Sequence, residues 1–156
     1  MKENSGKKSS HIFPLTEAIT AYLAIQRASS AVNRTVSKKL AQWNLSVPKY
    51  GIILQLYENE SLPLSELSKL VFCGNSNLTA LVDRMERDDL VKRVNHDSDR
   101  RIKEIRLTEK GRELAPKVIA EYRPFLHQMM RCFSPDEQQV LIKLLTRLKE
   151  RLEEEP

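Results

Sequence analysis

Between residues 64 and 87, apolar side chains recur every three or four positions, the spacing that places them on one face of an α-helix. The first run ends before Phe72-Cys73-Gly74, a break with the length and glycine content of the turn in a helix-turn-helix. The second run opens at Asn75, whose side chain can cap a helix by accepting a hydrogen bond from a free backbone N–H. The apolar positions are Leu64, Leu67, Leu70 and Val71 in the first run, then Leu78, Leu81, Val82 and Met85 in the second. The pattern predicts two short amphipathic helices joined by a turn.

Directly after these helices, the sequence predicts a β-hairpin. Its strands are Leu90–Val94 and Ile102–Leu107, and its polar tip is Asn95–Arg101. From Lys92 to Lys103 the hairpin carries a net charge of +3. A basic tip of this kind can reach a phosphate backbone or a minor groove.

The outward face of the second helix is short, polar and able to form hydrogen bonds, which suits the base edges of a DNA major groove. An ordinary solvated face is the alternative. The candidate DNA-binding residues of this helix are Asn75, Ser76, Asn77, Thr79 and Arg84. Those of the hairpin are Arg100, Arg101 and Lys103, and Asp99 is expected to orient Arg101 by an ion pair. An exposed ion pair of little energetic value is the alternative for Asp99.

Two helices are expected before the helix-turn-helix. The first is long and runs from Ile12 to about Trp43, with an apolar stripe that drifts around its axis and can contact two partners. The second opens with Ser46 as cap and Pro48 in its first turn, and it ends before Ser61-Leu62-Pro63. Its expected inward residues are Tyr50, Ile53, Leu54 and Tyr57.

Two further helices are expected after the hairpin. Thr108 caps the first, which carries Pro116 and Pro124, so we expect bends or a break near each proline. Its apolar stripe is Leu114, Val118, Tyr122, Phe125, Met129 and Phe133. Ser134-Pro135-Asp136-Glu137 is a capping box that opens the last helix. That helix has a leucine stripe near heptad spacing, formed by Leu141, Leu144, Leu145, Leu148 and Leu152.

The leucine stripe requires a partner, because an apolar face left in water costs about 25 cal/mol per Å². A second copy of the chain is the simplest partner, and packing on the first helix of the same chain is the alternative. The predicted fold is mainly α with a small β-hairpin, a winged helix-turn-helix with N- and C-terminal dimerisation helices. Its regions are a disordered tail over residues 1–11, helical dimerisation regions over 12–44 and 109–156, and a DNA-binding region over 45–108.

Composition is consistent with this prediction. The 156 residues include 40% apolar and 30% charged side chains, and the net charge of +5 with a pI near 9.3 permits nucleic-acid binding. Residues 1–10 lack the apolar segment of a signal peptide, so we expect a cytoplasmic protein. The chain has no phosphate-binding glycine loop and no nucleophile motif, and Asp97 and Asp99 have no third metal ligand nearby, so we expect no enzyme activity, metal or cofactor.

Four segments together resemble the MarR family of bacterial transcriptional regulators: Leu78–Glu86, Leu90–Arg93, Asp97–Arg101 and Leu107–Gly111. The resemblance extends from about Thr16 to Leu152. It implies a homodimeric repressor of double-stranded DNA with a palindromic operator. Asp89 departs from the family pattern, which usually has glycine there, but Asp tolerates a left-handed backbone better than most residues.

The resemblance also implies that a small effector, often aromatic or phenolic, lowers DNA affinity. Tyr22, Trp43 and Tyr50 are candidate pocket residues, although aromatic residues at helical spacing are more often core. A redox signal at Cys73, in the turn before the second helix, is the other option, and a buried inert thiol is its alternative. A different class of function is a helical adaptor that binds only protein, which would leave the basic hairpin unused.

Overall fold

The computed structural model describes residues 16–71, 75–95 and 103–154, and for residues 75–77 it describes the backbone alone. The chain is mainly helical with one small antiparallel sheet, as predicted. The elements in chain order are α1 Glu17–Leu40, a 3-10 turn Ala41–Trp43, α2 Val47–Glu58, β1 Ser61–Pro63, α3 Leu64–Leu70, α4 Asn75–Arg87, β2 Val91–Asn95, β3 Lys103–Leu107, α5 Glu109–Met130 and α6 Pro135–Glu153. Among the residues so described, no helix is both long enough and apolar enough to cross a membrane.

The sheet has the strand order β1-β3-β2, with both pairs antiparallel. The sequence predicted β2 and β3, whose register places Arg93 opposite Ile105. It did not predict β1, in which Leu62 pairs with Ile105 from the other side. β1 is three residues long and includes Pro63, and a proline is tolerated in a sheet mainly at an edge strand. So short a segment has no alternating pattern that sequence analysis could detect.

α2 packs against α1, α3, α5 and β3. Ser46 caps it, as expected, and Tyr50 and Ile53 are buried. The prediction for Tyr57 is wrong, because this side chain is 48% exposed, and Leu54 is only half-buried. Ile52 and Leu56 are buried instead. A helix surrounded on several sides has no single apolar stripe, and periodicity therefore identified its inward face incompletely.

α3 and α4 form the predicted pair of helices. In α4 the expected apolar face is buried, with exposed fractions of 1% for Leu78, 6% for Leu81 and 0% for both Val82 and Met85. In α3, Leu67 and Val71 are buried, but Leu70 is 46% exposed and does not belong to the buried face as predicted.

α4 ends in a Schellman motif. The N–H of Asp89 donates to the carbonyl of Glu86 at 3.0 Å, and the N–H of Leu90 donates to that of Met85 at 2.9 Å. Asp89 has a φ of 56°, in the left-handed region. The expectation that Asp would support this turn in place of glycine is confirmed.

α5 is one helix of 22 residues, and both Pro116 and Pro124 lie inside it. The expected alternative of a break at a proline is therefore wrong, because the surrounding turns keep the helix continuous. Thr108 caps it as predicted, accepting a hydrogen bond from the N–H of Gly111 at 3.1 Å. Val118 and Tyr122 are buried, whereas Phe133 lies beyond the helix and is 40% exposed.

α1 and α6 differ from the central elements in burial. α1 has Thr16 as its N-cap, and its buried residues are Val36 and Leu40, near its C-terminal end. The predicted start at Ile12 lies outside the described residues. α6 opens with the predicted capping box, in which Ser134 and Glu137 exchange hydrogen bonds of 2.8 and 3.3 Å. These bonds to Ser134 lower the pKa of the Glu137 carboxyl. Of the residues described in α6, none is buried.

Candidate nucleic-acid interface

The outward face of α4 is held in place by the core beneath it. Leu78, Val82 and Met85 are fixed in the core, and this fixes the direction of the opposite face. Thr79 and Arg84 flank that face and are exposed, as a base-reading or phosphate-binding role requires. Asn75, Ser76 and Asn77 form the first turn of α4, and their side chains lie outside the described part of the structure.

Arg93 connects this helix to the sheet. Its guanidinium bonds to Asp83 at 2.5 Å and also to Glu86, and its backbone N–H donates to Glu86 Oε1 at 3.0 Å. The hydrogen bond that the Arg93 guanidinium donates to Asp83 is the main cause that raises the pKa of Arg93. From sequence, Arg93 counted among the cations of the basic hairpin, but its charge is directed toward α4. The sequence signal for this ion pair is the spacing of Asp83 and Glu86, which lie three positions apart on one face of α4.

The hairpin is described only in its two strands. Lys103 is exposed, and its ammonium group contacts the side-chain oxygen of Asn95 across the strand pair. Asp99, Arg100 and Arg101 lie outside the described residues, so their proposed DNA contacts remain predictions. On the other edge of β3, the hydroxyl group of Ser61 in β1 donates a hydrogen bond to the Glu104 carboxylate at 2.7 Å.

A polar junction joins the end of α4 to α2 and α5. Lys49 on α2 pairs with the Asp88 carboxylate at 2.6 Å, and Lys110 on α5 donates to the Asp88 backbone carbonyl at 2.7 Å. Thr108 donates to the carbonyl of Asp89 at 2.6 Å. The hydrogen bond from Lys49 is the main cause that lowers the pKa of Asp88. No local sequence pattern indicates this junction, because its bonded residues are 19, 22 and 39 positions apart.

The three candidate effector residues lie in different surroundings. Trp43 is half-buried and has the Lys39 ammonium 5.0 Å from its ring centroid. Tyr50 is core, with its ring centroid 4.5 Å from that of Tyr122. Tyr22 is 59% exposed, and at 1.5 Å per residue it lies about 27 Å along α1 from Leu40. The structure does not bring Tyr22 close to Trp43 and Tyr50.

The candidate dimer residues form an uncovered apolar face. Leu144, Leu145, Leu148 and Leu152 are between 41% and 63% exposed, and Leu141 is half-buried. Of the two cysteines, Cys132 is exposed, and Cys73 lies outside the described residues. Across residues 16–71, 75–95 and 103–154, no group of three or more metal-ligating side chains occurs.

Comparison with known proteins is consistent with this geometry. Residues 45–103 match the sequence model of the MarR family. The transcriptional repressor MprA of Escherichia coli strain K12 is 32% identical over 141 residues, covering 87% of this chain and 80% of that protein. The crystal structure of AbsC, a MarR family transcriptional regulator from Streptomyces coelicolor, superposes with a TM-score of 0.80 at 26% identity, covering 90% of this chain and 98% of AbsC.

A likeness of fold extends to a structure that contains DNA. A mutant of MarR from Escherichia coli, crystallised with operator DNA, superposes with a TM-score of 0.76 at 20% identity. The superposition covers 87% of this chain and 98% of that protein.

Proposed function

Because the chain belongs to the MarR family of transcriptional regulators, we propose that it acts as a homodimer that binds a palindromic operator and represses transcription there. It is a DNA-binding regulator and not an enzyme. This identity sets aside the adaptor that binds only protein. The name of the relative MprA, a transcriptional repressor, supports repression as the direction of control. Expression of a reporter gene placed behind the bound promoter should rise when the gene that encodes this protein is deleted. A fall in expression would show that the protein is an activator.

The orientation of α4 is the observation that carries the DNA-reading proposal. Its buried face fixes the helix on the core, and Thr79 and Arg84 are exposed. Arg93 ties the adjoining strand to the same helix through Asp83 and Glu86. We therefore assign base contacts to Asn77 and Thr79, and base or phosphate contacts to Asn75, Ser76 and Arg84.

The uncovered α6 supports the dimer. We assign dimerisation to residues 12–44 and 109–156 and DNA binding to residues 45–108. In this arrangement α1, α5 and α6 of two copies interlock across a two-fold axis. Two recognition helices would then lie about 34 Å apart, one turn of DNA, which is the spacing that a palindromic site requires.

Alanine substitutions on α4 test the recognition helix. DNA fragments selected from the source genome supply the preferred site. Thr79→Ala should then cost about 1–3 kcal/mol on that site and far less on random DNA, because a base contact is lost only where the base is correct. For Arg84→Ala, the matched control for loss of one positive charge is Lys117→Ala, at an exposed position on α5. Equal losses of affinity on both kinds of DNA would show that Thr79 contacts the DNA backbone and not the bases.

Two substitutions test the hairpin tip. Arg101→Ala should weaken binding to all sequences by roughly 1–3 kcal/mol if Arg101 contacts phosphate or the minor groove. Asp99→Ala should also lose affinity if Asp99 orients Arg101, although it removes a negative charge. Charge alone predicts tighter binding for Asp99→Ala, so that result would exclude the orienting role.

We further propose that a small aromatic or phenolic effector releases the protein from DNA. Trp43 is the candidate with the most suitable position, since it is half-buried next to the polar junction rather than packed in the core as Tyr50 is.

A redox signal at Cys73 stays a prediction. Treatment with peroxide that leaves DNA binding unchanged would exclude it.

A further inference from the structure

The outer face of the sheet carries two cations that lie directly opposite each other. The register of β2 and β3 pairs Lys92 with Arg106. Successive side chains along a strand point to opposite faces of a sheet. Their strand neighbours Val91 and Ile105 are each only 1% exposed in the core, so Lys92 and Arg106 share the face that is turned away from the core.

Neither cation has a bonded partner among the residues that the structure describes. Lys92 is exposed and Arg106 is half-buried, and neither side chain forms a hydrogen bond or an ion pair with those residues. The Nε–H of Arg106 is buried without an acceptor there. Like charges directly opposite each other on two strands, with Cβ atoms about 4.5–5.5 Å apart, destabilise a sheet. A buried donor without a partner adds to this cost.

Two other cations of the same strands differ in this respect. Arg93, which follows Lys92 but points to the opposite face, is bonded to two carboxylates of α4. The Lys103 ammonium group contacts a side-chain oxygen on β2. Partners within the chain are therefore provided for these cations and not for Lys92 and Arg106. A local arrangement that costs stability without compensation inside the chain is typical of a binding site.

We propose that the outer face of the sheet binds a phosphate group between Lys92 and Arg106. The phosphate oxygens accept charge-assisted hydrogen bonds from both an ammonium and a guanidinium group, and the anion replaces the repulsion between them with attraction. The Glu104 carboxylate shares this face, where it accepts a hydrogen bond from the Ser61 hydroxyl at 2.7 Å. Two cations against this one carboxylate leave the face positive.

A phosphate group can come from two sources. One is the DNA backbone, which the proposed function brings to the hairpin that these strands form. The other is a free phosphorylated small molecule. The site itself does not depend on the proposed function, and only the DNA source rests on it.

Thermal unfolding of the full chain tests the site, with inorganic phosphate as the probe. Sodium phosphate is compared with sodium chloride of equal ionic strength. Phosphate stabilises many proteins by exclusion from their surface, so the difference between wild type and variant is the informative quantity. When phosphate exceeds its dissociation constant about tenfold, the Tm of the wild type should rise by about 3–6 °C more than that of Lys92→Met or Arg106→Met.

Lys92→Glu makes the cross-strand pair attractive. It should raise the Tm in chloride and remove the specific phosphate response, because glutamate pairs with Arg106 and repels the anion. Arg112→Met, at an exposed position on α5, is the control and should respond to phosphate as the wild type does. A lower Tm of Lys92→Glu in both salts would show a merely structural role and overturn the proposal. An equal phosphate response of the wild type and Lys92→Glu would also overturn it.

The salt dependence of DNA binding identifies the source of the phosphate. If the DNA backbone supplies it, Lys92→Met and Arg106→Met should each reduce the slope of log affinity against log salt concentration by about 1, on preferred and random DNA alike. Unchanged slopes together with a lost phosphate response assign the site to a free phosphorylated compound. Absence of DNA binding by the wild-type protein defeats the proposed function, whereas the unfolding experiment alone decides whether the phosphate site exists.

Discussion

α4 and α6 are both amphipathic helices with a stripe of large apolar side chains, yet their surroundings are opposite. The stripe of α4 is at most 6% exposed, although the helix has only 13 residues. The stripe of α6 includes Leu144 at 47% and Leu152 at 63% exposed, in a helix of 19 residues. One chain therefore completes the packing of α4 but leaves that of α6 unfinished. The difference separates a helix whose apolar face is covered within the chain from a helix whose apolar face is left exposed.

An aspartate introduced into the apolar stripe of α4 or of α6 should have different effects. The largest loss of stability is expected in α4. Val82→Asp puts a charge at a fully buried position with no partner, so the reading region should lose more than about 4 kcal/mol of its unfolding free energy. Thermal unfolding followed by circular dichroism measures it. Ala80→Asp, on the exposed face of the same helix, should retain the wild-type stability. Similar destabilisation by both variants would mean that α4 is not oriented as described.

The corresponding change in α6 should break assembly and leave the fold. Leu144→Asp with Leu148→Asp places charges in the proposed seam, so the protein should sediment as a monomer. Its DNA affinity should fall by about 10²–10⁴-fold, because the avidity gained by linking two DNA-binding regions is lost. Removal of residues 134–156 should cause the same fall. Gln139→Asp with Thr146→Asp, on the opposite face of α6, is the control. A wild-type chain that is monomeric at micromolar concentration and still binds a palindromic site tightly would refute the dimer.

A smaller effect is expected at the joint between the two regions. A Cβ at Gly111 would lie 2.2 Å from the carbonyl oxygen of Leu90, so backbone must move to admit it. Gly111→Ala should therefore destabilise the protein by roughly 1–3 kcal/mol in urea unfolding. Glu113→Ala, at an exposed position in the same helix, provides the reference. A Gly111→Ala protein as stable as that reference would show that α5 can shift freely against the end of α4.

The smallest effect, and of opposite sign, is expected at Asp89. Its φ of 56° is left-handed, so Asp89→Gly should relieve backbone strain and stabilise the reading region by about 0.5 kcal/mol. Asp89→Ala should destabilise it by about 1 kcal/mol, because alanine has no polar side chain that favours this conformation. Both are measured by thermal unfolding. Equal stability of the two variants would argue that this turn does not control how α4 ends.

The sequence predicted those parts that depend on local pattern. Periodicity located α4 and its buried face, and cap residues located the starts of α2, α5 and α6, because a cap acts within three positions of its partner. Prediction failed where distant segments meet. Edge strand β1 exists only by pairing with β3, and the partners of Arg93 and Asp88 lie on other elements. The DNA contacts of Arg100 and Arg101 remain predictions, since both lie outside the described residues.

α5 connects the end of α4 to the start of α6 as one unbroken helix of 22 residues, which at 1.5 Å per residue is a rod about 33 Å long. Its first turn is bonded to the end of α4, and its last turn lies close to the start of α6. In the proposed dimer, this rod is a lever arm. A tilt of roughly 5° at the α6 end would displace the α4 end by about 3 Å, close to the ~3.4 Å rise of one base step. Very small changes of angle between two subunits would thus carry a recognition helix out of register with its operator by a whole base pair.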